Sequence, residues 1–177
     1  MLSKADFSQA RGTNELKIVA SQIRGRLVEI SHKAKTPHLG SSLSCTDIVT
    51  AAYWGILNID VSKPNDPDRD RFILSKGHAA TTLYTALHLR GFFPDSTMAS
   101  YNVSGGKLQE HPGPGCAPGI EAATGSLGHG LSIGIGMALA GRIQNRDYRV
   151  FALLSDGECN EGSVWEAAMS AAKHQLN

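Results

Sequence analysis

The feature that most constrains this chain is the run Val150-Phe151-Ala152-Leu153-Leu154, followed at once by Ser155-Asp156-Gly157-Glu158-Cys159-Asn160-Glu161-Gly162. Consecutive apolar residues without alternation predict a strand buried on both faces of a parallel sheet. The segment from Ser163 through Val164, Trp165, Glu166, Ala167, Ala168 and Met169 predicts a helix directly after it. In open α/β sheets, ligands bind beyond the carboxyl ends of the strands. A carboxylate there, Asp156, beside a side-chain-free residue, Gly157, suits a hard metal ion accompanying a diphosphate. The same Asp suits an ordinary turn, where it bonds nearby backbone N–H groups. One carboxylate does not complete a metal site in either case.

The rest of the chain supplies the other layers. Leu16, Val19, Ala20, Ile23, Leu27 and Ile30 form one apolar stripe at helical spacing, which predicts a helix over Glu15–Ser31 capped by Thr13 or Asn14. Pro37 ends it, and Pro37-His38-Leu39-Gly40-Ser41-Ser42 reads as a short loop. Ser44-Cys45-Thr46-Asp47 is a capping-box variant opening a helix to about Leu57. After a loop at Pro64–Asp68, Asp70–Leu74 reads as a strand, Ser75-Lys76-Gly77-His78 sits at its end, and a helix runs to a C-cap at Gly91. Tyr101–Thr124 is a long loop rich in glycine and proline, of the kind that carries function or disorder. Gly125-Ser126-Leu127-Gly128-His129-Gly130 opens a further helix, whose small residues at Gly134, Gly136, Ala138 and Ala140 permit close approach to a neighbour. Strands separated by helices predict an α/β layered fold with a mostly parallel sheet, in one domain over 1–177. The sheet reads as incomplete at the C-terminus, since another strand would follow the last helix.

Several function classes are disfavoured. The formal charge of +1 gives no electrostatic case for nucleic acid or an anionic membrane. The N-terminus lacks a signal-peptide core, and the apolar stretch Leu131–Gly141 is too short to span a bilayer. Cys45, Cys116 and Cys159 are odd in number and scattered, which reads as free thiols of a cytoplasmic protein.

Among the candidate chemical groups, His38, His78 and His111 each lie in a loop beside glycine or proline and can line one cleft. Imidazole donates to phosphates and sugar hydroxyls and carries protons near neutral pH. Any one of them can equally be a surface residue, and their spacing fits no zinc motif. His32, His88, His129 and His174 fall in or at helices and read as structural. Ser163 to Glu166 has capping-box spacing, and Glu158 and Glu161 read as charges at a helix N-terminus. The glycine loop at 125–130 lacks the Lys-Ser/Thr of a nucleotide-binding P-loop.

Taken together, Pro37-His38-Leu39-Gly40, Asp68 through His78, Leu108-Gln109-Glu110-His111-Pro112, Thr124 through Gly128, and Ser155-Asp156-Gly157 with Glu161-Gly162 resemble, in order, the diphosphate-binding domain of the transketolases. The Ser-Lys-Gly-His and Ser-Asp-Gly-Glu forms look most like the short N-terminal subunits of split transketolases. The resemblance implies a layered α/β/α thiamine-diphosphate-binding fold. It implies that Asp156 ligates Mg2+ (or Ca2+), that Gly157 passes close to the diphosphate, and that His78 holds a diphosphate oxygen. Gly125 and Leu127 would contact the aminopyrimidine and thiazolium region, and His38 and His111 would face the sugar and assist proton transfer. Glu161 matches a glutamate at the subunit interface. The implied reaction moves a two-carbon ketol unit from a ketose to an aldose, both usually phosphorylated.

Three departures stand out. Ser155 replaces the family's usual glycine, and His129 stands where full-length members usually carry Gln. The motif's metal-binding Asn lies farther beyond Gly157 than the chain reaches, so Asn177 comes too early. The expectation is therefore a truncated piece, inactive alone, which needs a C-terminal pyrimidine-binding subunit, with a 2+2 heterotetramer as the expected assembly. Two other readings remain. One is a different thiamine-diphosphate component, resembling deoxyxylulose-phosphate synthase or a keto-acid decarboxylating subunit, against which the Ser-Lys-Gly-His and Gln-Glu-His-Pro segments argue. The other is an inactive binding or assembly module.

Overall fold

In the computed structural model, residues 12–113 and 115–176 are described. Helix α1 spans Thr13–Ala34, and its predicted stripe buries Val19, Ala20, Ile23 and Leu27. Neither Thr13 nor Asn14 caps it: Gly12 holds the N-cap position, and its carbonyl accepts the Leu16 N–H at 3.1 Å.

The predicted loop at 37–42 is in fact largely helix α2, Leu39–Ser44, entered at His38. Gly40 and the serines have weak helix propensity, so tertiary bonds decide the matter. The Ser42 carbonyl accepts both the Thr46 hydroxyl at 3.1 Å and the Thr82 hydroxyl at 2.8 Å. Helix α3, Thr46–Ala51, continues as a π-helical segment, Ala52–Ile56, closed by Leu57 N–H to Ala52 C=O at 2.9 Å. The expected capping box at Ser44 and Asp47 does not form. Ser44 Oγ bonds back to Ser41 C=O, and Asp47 instead forms a two-pronged pair with Arg24 of α1 at 2.6 and 3.1 Å.

Strand β1, Arg71–Leu74, leads through a 3-10 turn, Gly77–Ala79, into helix α4, Ala80–Arg90, which ends at Gly91 in the left-handed conformation (φ 92) as predicted. Every residue of α4 from Ala80 to Leu87 is buried, so this stretch has no solvent-exposed face, and its threonine hydroxyls bond within the protein. It forms the centre of an apolar core that gathers α1, α3, Tyr53, Phe72, Leu74, Phe92 and Tyr101. A short helix α5, Asp95–Met98, precedes the long loop.

Helix α6, Gly130–Ile143, then leads to strand β2, Val150–Leu153, and through a second 3-10 turn, Gly157–Asn160, to helix α7, Gly162–Lys173. Among the described residues, β1 and β2 form a two-stranded parallel sheet in the register Arg71↔Val150 to Leu74↔Leu153. Asp70 fixes that register from below. Its buried carboxylate accepts the Arg149 N–H at 2.8 Å, the Arg149 guanidinium at 2.6 Å and the Asn58 N–H at 2.9 Å. The expectation that β2 is buried on both faces does not hold, since its residues are all half-buried; it is β1 that buries Phe72, Ile73 and Leu74. Among the described residues β2 pairs with β1 alone, which leaves its other edge uncovered. α6 approaches the sheet at Gly134, where an added Cβ would lie 3.5 Å from both Ile73 and Val150.

Candidate active site

The carboxyl ends of β1 and β2 lie side by side, with Ser75 N–H donating to Leu153 C=O at 2.9 Å. Everything that follows the two strands therefore emerges at one edge. After β1, Gly77 packs directly on the glycine loop: a Cβ there would sit 2.4 Å from the Thr124 backbone carbon. Only glycine allows this approach. His111 in turn lies over Gly125, where a Cβ would come within 2.9 Å of the ring.

These contacts assemble the histidines. The ring centres of His38 and His78 are 5.2 Å apart, and those of His38 and His111 are 6.3 Å apart. His38 holds its ring there from a left-handed backbone, φ 68, and its Nε2 lies 3.8 Å from Glu110 Oε1. Burial lowers the His78 pKa, and the positive Lys76 and neighbouring His38 lower it further, which favours a neutral ring that donates from one nitrogen and accepts at the other. Lys76 is itself buried, its ammonium hydrogen-bonded to Ser41 C=O at 3.0 Å. Burial raises the Cys45 thiol pKa despite the opposing pull of Lys76, which disfavours the reactive thiolate.

Asp156 and Gly157 follow β2 at the same edge. The Asp156 side chain is exposed, with no hydrogen bond or ion pair to the described residues, and a Cβ on Gly157 would meet nothing within 4 Å. The predicted turn-stabilising use of Asp156 is thus absent. Among the described residues, no group of His, Cys, Asp and Glu forms a ready-made metal cage. A free carboxylate beside bare backbone fits a hard cation that takes most of its oxygen ligands from a diphosphate. A further opening for a ligand group lies at Thr124, whose buried Oγ1 has no hydrogen-bond partner. Leu127 is half-buried in the glycine loop, two residues from the turn at Gly125. Asn177 lies outside the described residues.

Glu161 is not among the histidines. It is exposed, precedes α7, and packs its side chain on the far side of the glycine loop, where a Cβ on Gly128 would lie 2.8 Å from its own. His129 precedes α6, and its Nδ1 lies 3.1 Å from Leu127 C=O.

Sequence reasoning missed Glu158. Far from being a solvated helix-end charge, it is fully buried (0 % exposed) beneath both strand ends. It also forms a capping box with Ser155, where the sequence points to one at Ser163 and Glu166. Ser155 Oγ accepts the Glu158 N–H at 3.3 Å while the Glu158 carboxylate accepts the Ser155 N–H at 2.8 Å. Ser163 and Glu166 do not cap α7; Ser163 Oγ donates to Gly128 C=O at 3.2 Å instead. The signal was present in the Ser-x-x-Glu spacing of Ser155 and Glu158, a pattern that a glycine at 155 would lose.

A family described as the transketolase thiamine diphosphate binding domain matches residues 16–177. The chain is 43% identical over 162 residues to one of the subunits of an apulose-4-phosphate transketolase from Phocaeicola vulgatus, covering 92% of this chain and 57% of that protein. It is 39% identical over 163 residues to a 6-deoxy-6-sulfo-D-fructose transketolase subunit from a Clostridium species, covering 92% and 59%. It spans, therefore, less than two thirds of these relatives. Among solved structures, a transketolase from Campylobacter jejuni superposes with a TM-score of 0.83 at 31% identity, over 91% of this chain and 26% of that one. One from Leishmania mexicana gives 0.82 at 27%, over 88% and 25%.

Proposed function

The chain belongs to the transketolase family, as its thiamine diphosphate binding domain, and from that premise we propose that it supplies the diphosphate half of an active site transferring a two-carbon ketol unit from a ketose phosphate to an aldose phosphate. The observation that carries this reading is the cluster of His38, His78 and His111 against the glycine loop, at the edge where Asp156 and Gly157 also emerge. Bound thiamine diphosphate supplies the carbon nucleophile and electron sink for the carbon–carbon bond chemistry. The chain's own residues bind and orient. Asp156 holds Mg2+ (or Ca2+), Gly157 lets the diphosphate approach the backbone, and neutral His78 donates an N–H to a diphosphate oxygen. Gly125 and Leu127 would contact the cofactor's aminopyrimidine and thiazolium region. His38 and His111 bind sugar hydroxyls and hold or pass a proton at their ring nitrogens. Glu161, outside this cluster, meets a neighbouring subunit.

The activity requires a second, pyrimidine-binding subunit in a 2+2 heterotetramer, and this chain by itself is inactive. Relatives named as transketolase subunits support the need for a partner subunit. A cytoplasmic setting is supported by three free cysteines, and among the described residues no helix is long and apolar enough to cross a membrane. The test is to combine the full-length protein with its partner subunit, thiamine diphosphate and magnesium, and to assay ketol transfer. Turnover of a ketose phosphate is expected; none across a panel of sugar phosphates would sink the assignment. Asp156→Ala is expected to weaken magnesium-dependent cofactor binding at least tenfold, on the order seen when metal-site groups are removed, and unchanged affinity would refute its ligand role.

A further inference from the structure

We propose that Glu158 is a positioning residue whose buried carboxylate locks the glycine loop to the Ser155-Asp156-Gly157 turn and to the end of β1, setting the spacing between the two backbone segments that meet the cofactor. What those segments hold rests on the function proposed above; the lock itself rests on geometry.

Glu158 Oε1 accepts the Ser75 hydroxyl at 2.5 Å and the Gly128 N–H at 3.0 Å. Oε2 accepts the Ser155 N–H at 2.8 Å, with Ser155 Oγ at 3.4 Å. Three chain segments distant in sequence thus converge on one side chain. Gly128 and Ser155 are each one residue from a group assigned to the cofactor site, Leu127 and Asp156 respectively. The influence extends one bond further. Because Ser75 gives its single proton to Glu158, its oxygen is left to accept the Gly130 N–H at 3.2 Å, the first amide of α6.

The surroundings leave the loop no slack. Gly128 has φ +81, and a Cβ there would lie 2.4 Å from Ser163 Oγ, the same hydroxyl that bonds the Gly128 carbonyl. The residue is gripped at its N–H by Glu158 and at its C=O by α7. A buried carboxylate is costly unless its oxygens are fully engaged, and here donors converge on both. Glutamine would fill the same volume but turn an amide NH2 toward a backbone N–H, setting donor against donor in a buried site. Aspartate is one methylene too short to reach across.

The experiment uses the assembled enzyme and calorimetric binding of thiamine diphosphate at saturating magnesium, beside activity measured against cofactor concentration. Glu158→Gln is expected to raise the cofactor Kd by about tenfold or more, as outer-shell substitutions do. Its kcat at saturating cofactor should stay close to the parent's, so the loss sits in the cofactor requirement and not in turnover. Leu87→Ala, a core change remote from the edge, serves as the matched control. It should lower stability yet keep Kd within about twofold, as distant sites are independent. If Glu158→Gln does not fold, Ser75→Ala removes one leg of the lock and should weaken binding several-fold. Binding equal to the parent's by a folded Glu158→Gln, or by Ser75→Ala in its stead, overturns the lock and leaves the proposed function standing. Failure of the parent enzyme itself to bind the cofactor overturns both.

Discussion

Helix α4 buries every residue from Ala80 to Leu87, whereas the longer α6 buries only Gly130, Gly134 and Gly141, and α7 only Val164 and Ala167. The contrast extends to their strands, β1 being buried and β2 half-buried. The first region is held by apolar packing around Tyr84, Leu87 and Ile23. The second is tied to it by polar bonds at both ends of the sheet: Asp70 with Arg149 and Asp68 with Arg146 near its start, and Glu158 with Ser75 at its end. Ile143, Trp165 and Met169 stand exposed on the second region. A densely packed region and an open one, joined through the buried carboxylates Asp70 and Glu158, thus coexist in one chain, and the candidate site lies on the seam.

The largest effect should come from the packed region. Leu87→Ala, in a fully buried position, is expected to cost about 3 kcal/mol of unfolding free energy in a urea titration; a change under about 1 kcal/mol would show that the core does not carry the region's stability. Asp70→Ala should cost about 2 kcal/mol, since it strands the Asn58 and Arg149 amides and part of an ion pair. Were it neutral, the join at the start of the sheet would have to rest on the β1–β2 ladder and its packing.

Acid acts on the tie at Asp70 and on the site histidine His78 in different windows. Burial raises the Asp70 pKa, but hydrogen bonds from the Arg149 side chain and from the Asn58 and Arg149 amides outweigh it and hold the carboxyl below its usual range. Its contribution is full above the ordinary value of about 3.9 and is lost as pH falls through the lower folded value. His78 acts in a higher window. Its folded pKa lies below the ordinary value of about 6.5, so the unfolded chain takes up the proton first and stability declines as pH falls from about 6.5 toward the folded value. Stability measured against pH should show two separate losses on acidification. Asp70→Asn should shrink the lower loss, which Asp47 beside Arg24 shares, and leave the upper one unchanged; an unaltered lower loss would contradict the assignment. The smallest effect belongs to the open region: Ile143→Ala, at a position 81% exposed, should change stability by less than about 0.5 kcal/mol.

The same contrast explains what could be read in advance. The α1 stripe, the end of α4 at Gly91 and the order of the strands follow from local periodicity and turn chemistry, and all are legible from neighbouring residues. The clustering of the histidines was legible as a possibility, because each sits in a loop next to a strand or helix end. The onset of α2 was hidden, because its weak formers are held by Thr46 and by the distant Thr82. The burial of Glu158 was hidden for a similar reason: its partner Ser75 is 83 residues away, and two Ser-x-x-Glu spacings in succession compete for one capping role. Local pattern predicts an element; it does not say which polar group the fold will take inside.

His38 carries one further consequence. Its backbone lies at φ 68, a conformation that costs a non-glycine residue about 1 kcal/mol or more, and glycine would relieve that strain while deleting the ring 5.2 Å from His78. Selection for robustness and selection for chemistry therefore pull in opposite directions at this one position. A search for thermostable variants of this chain would be drawn toward glycine there, and would have to be screened for function to keep the imidazole.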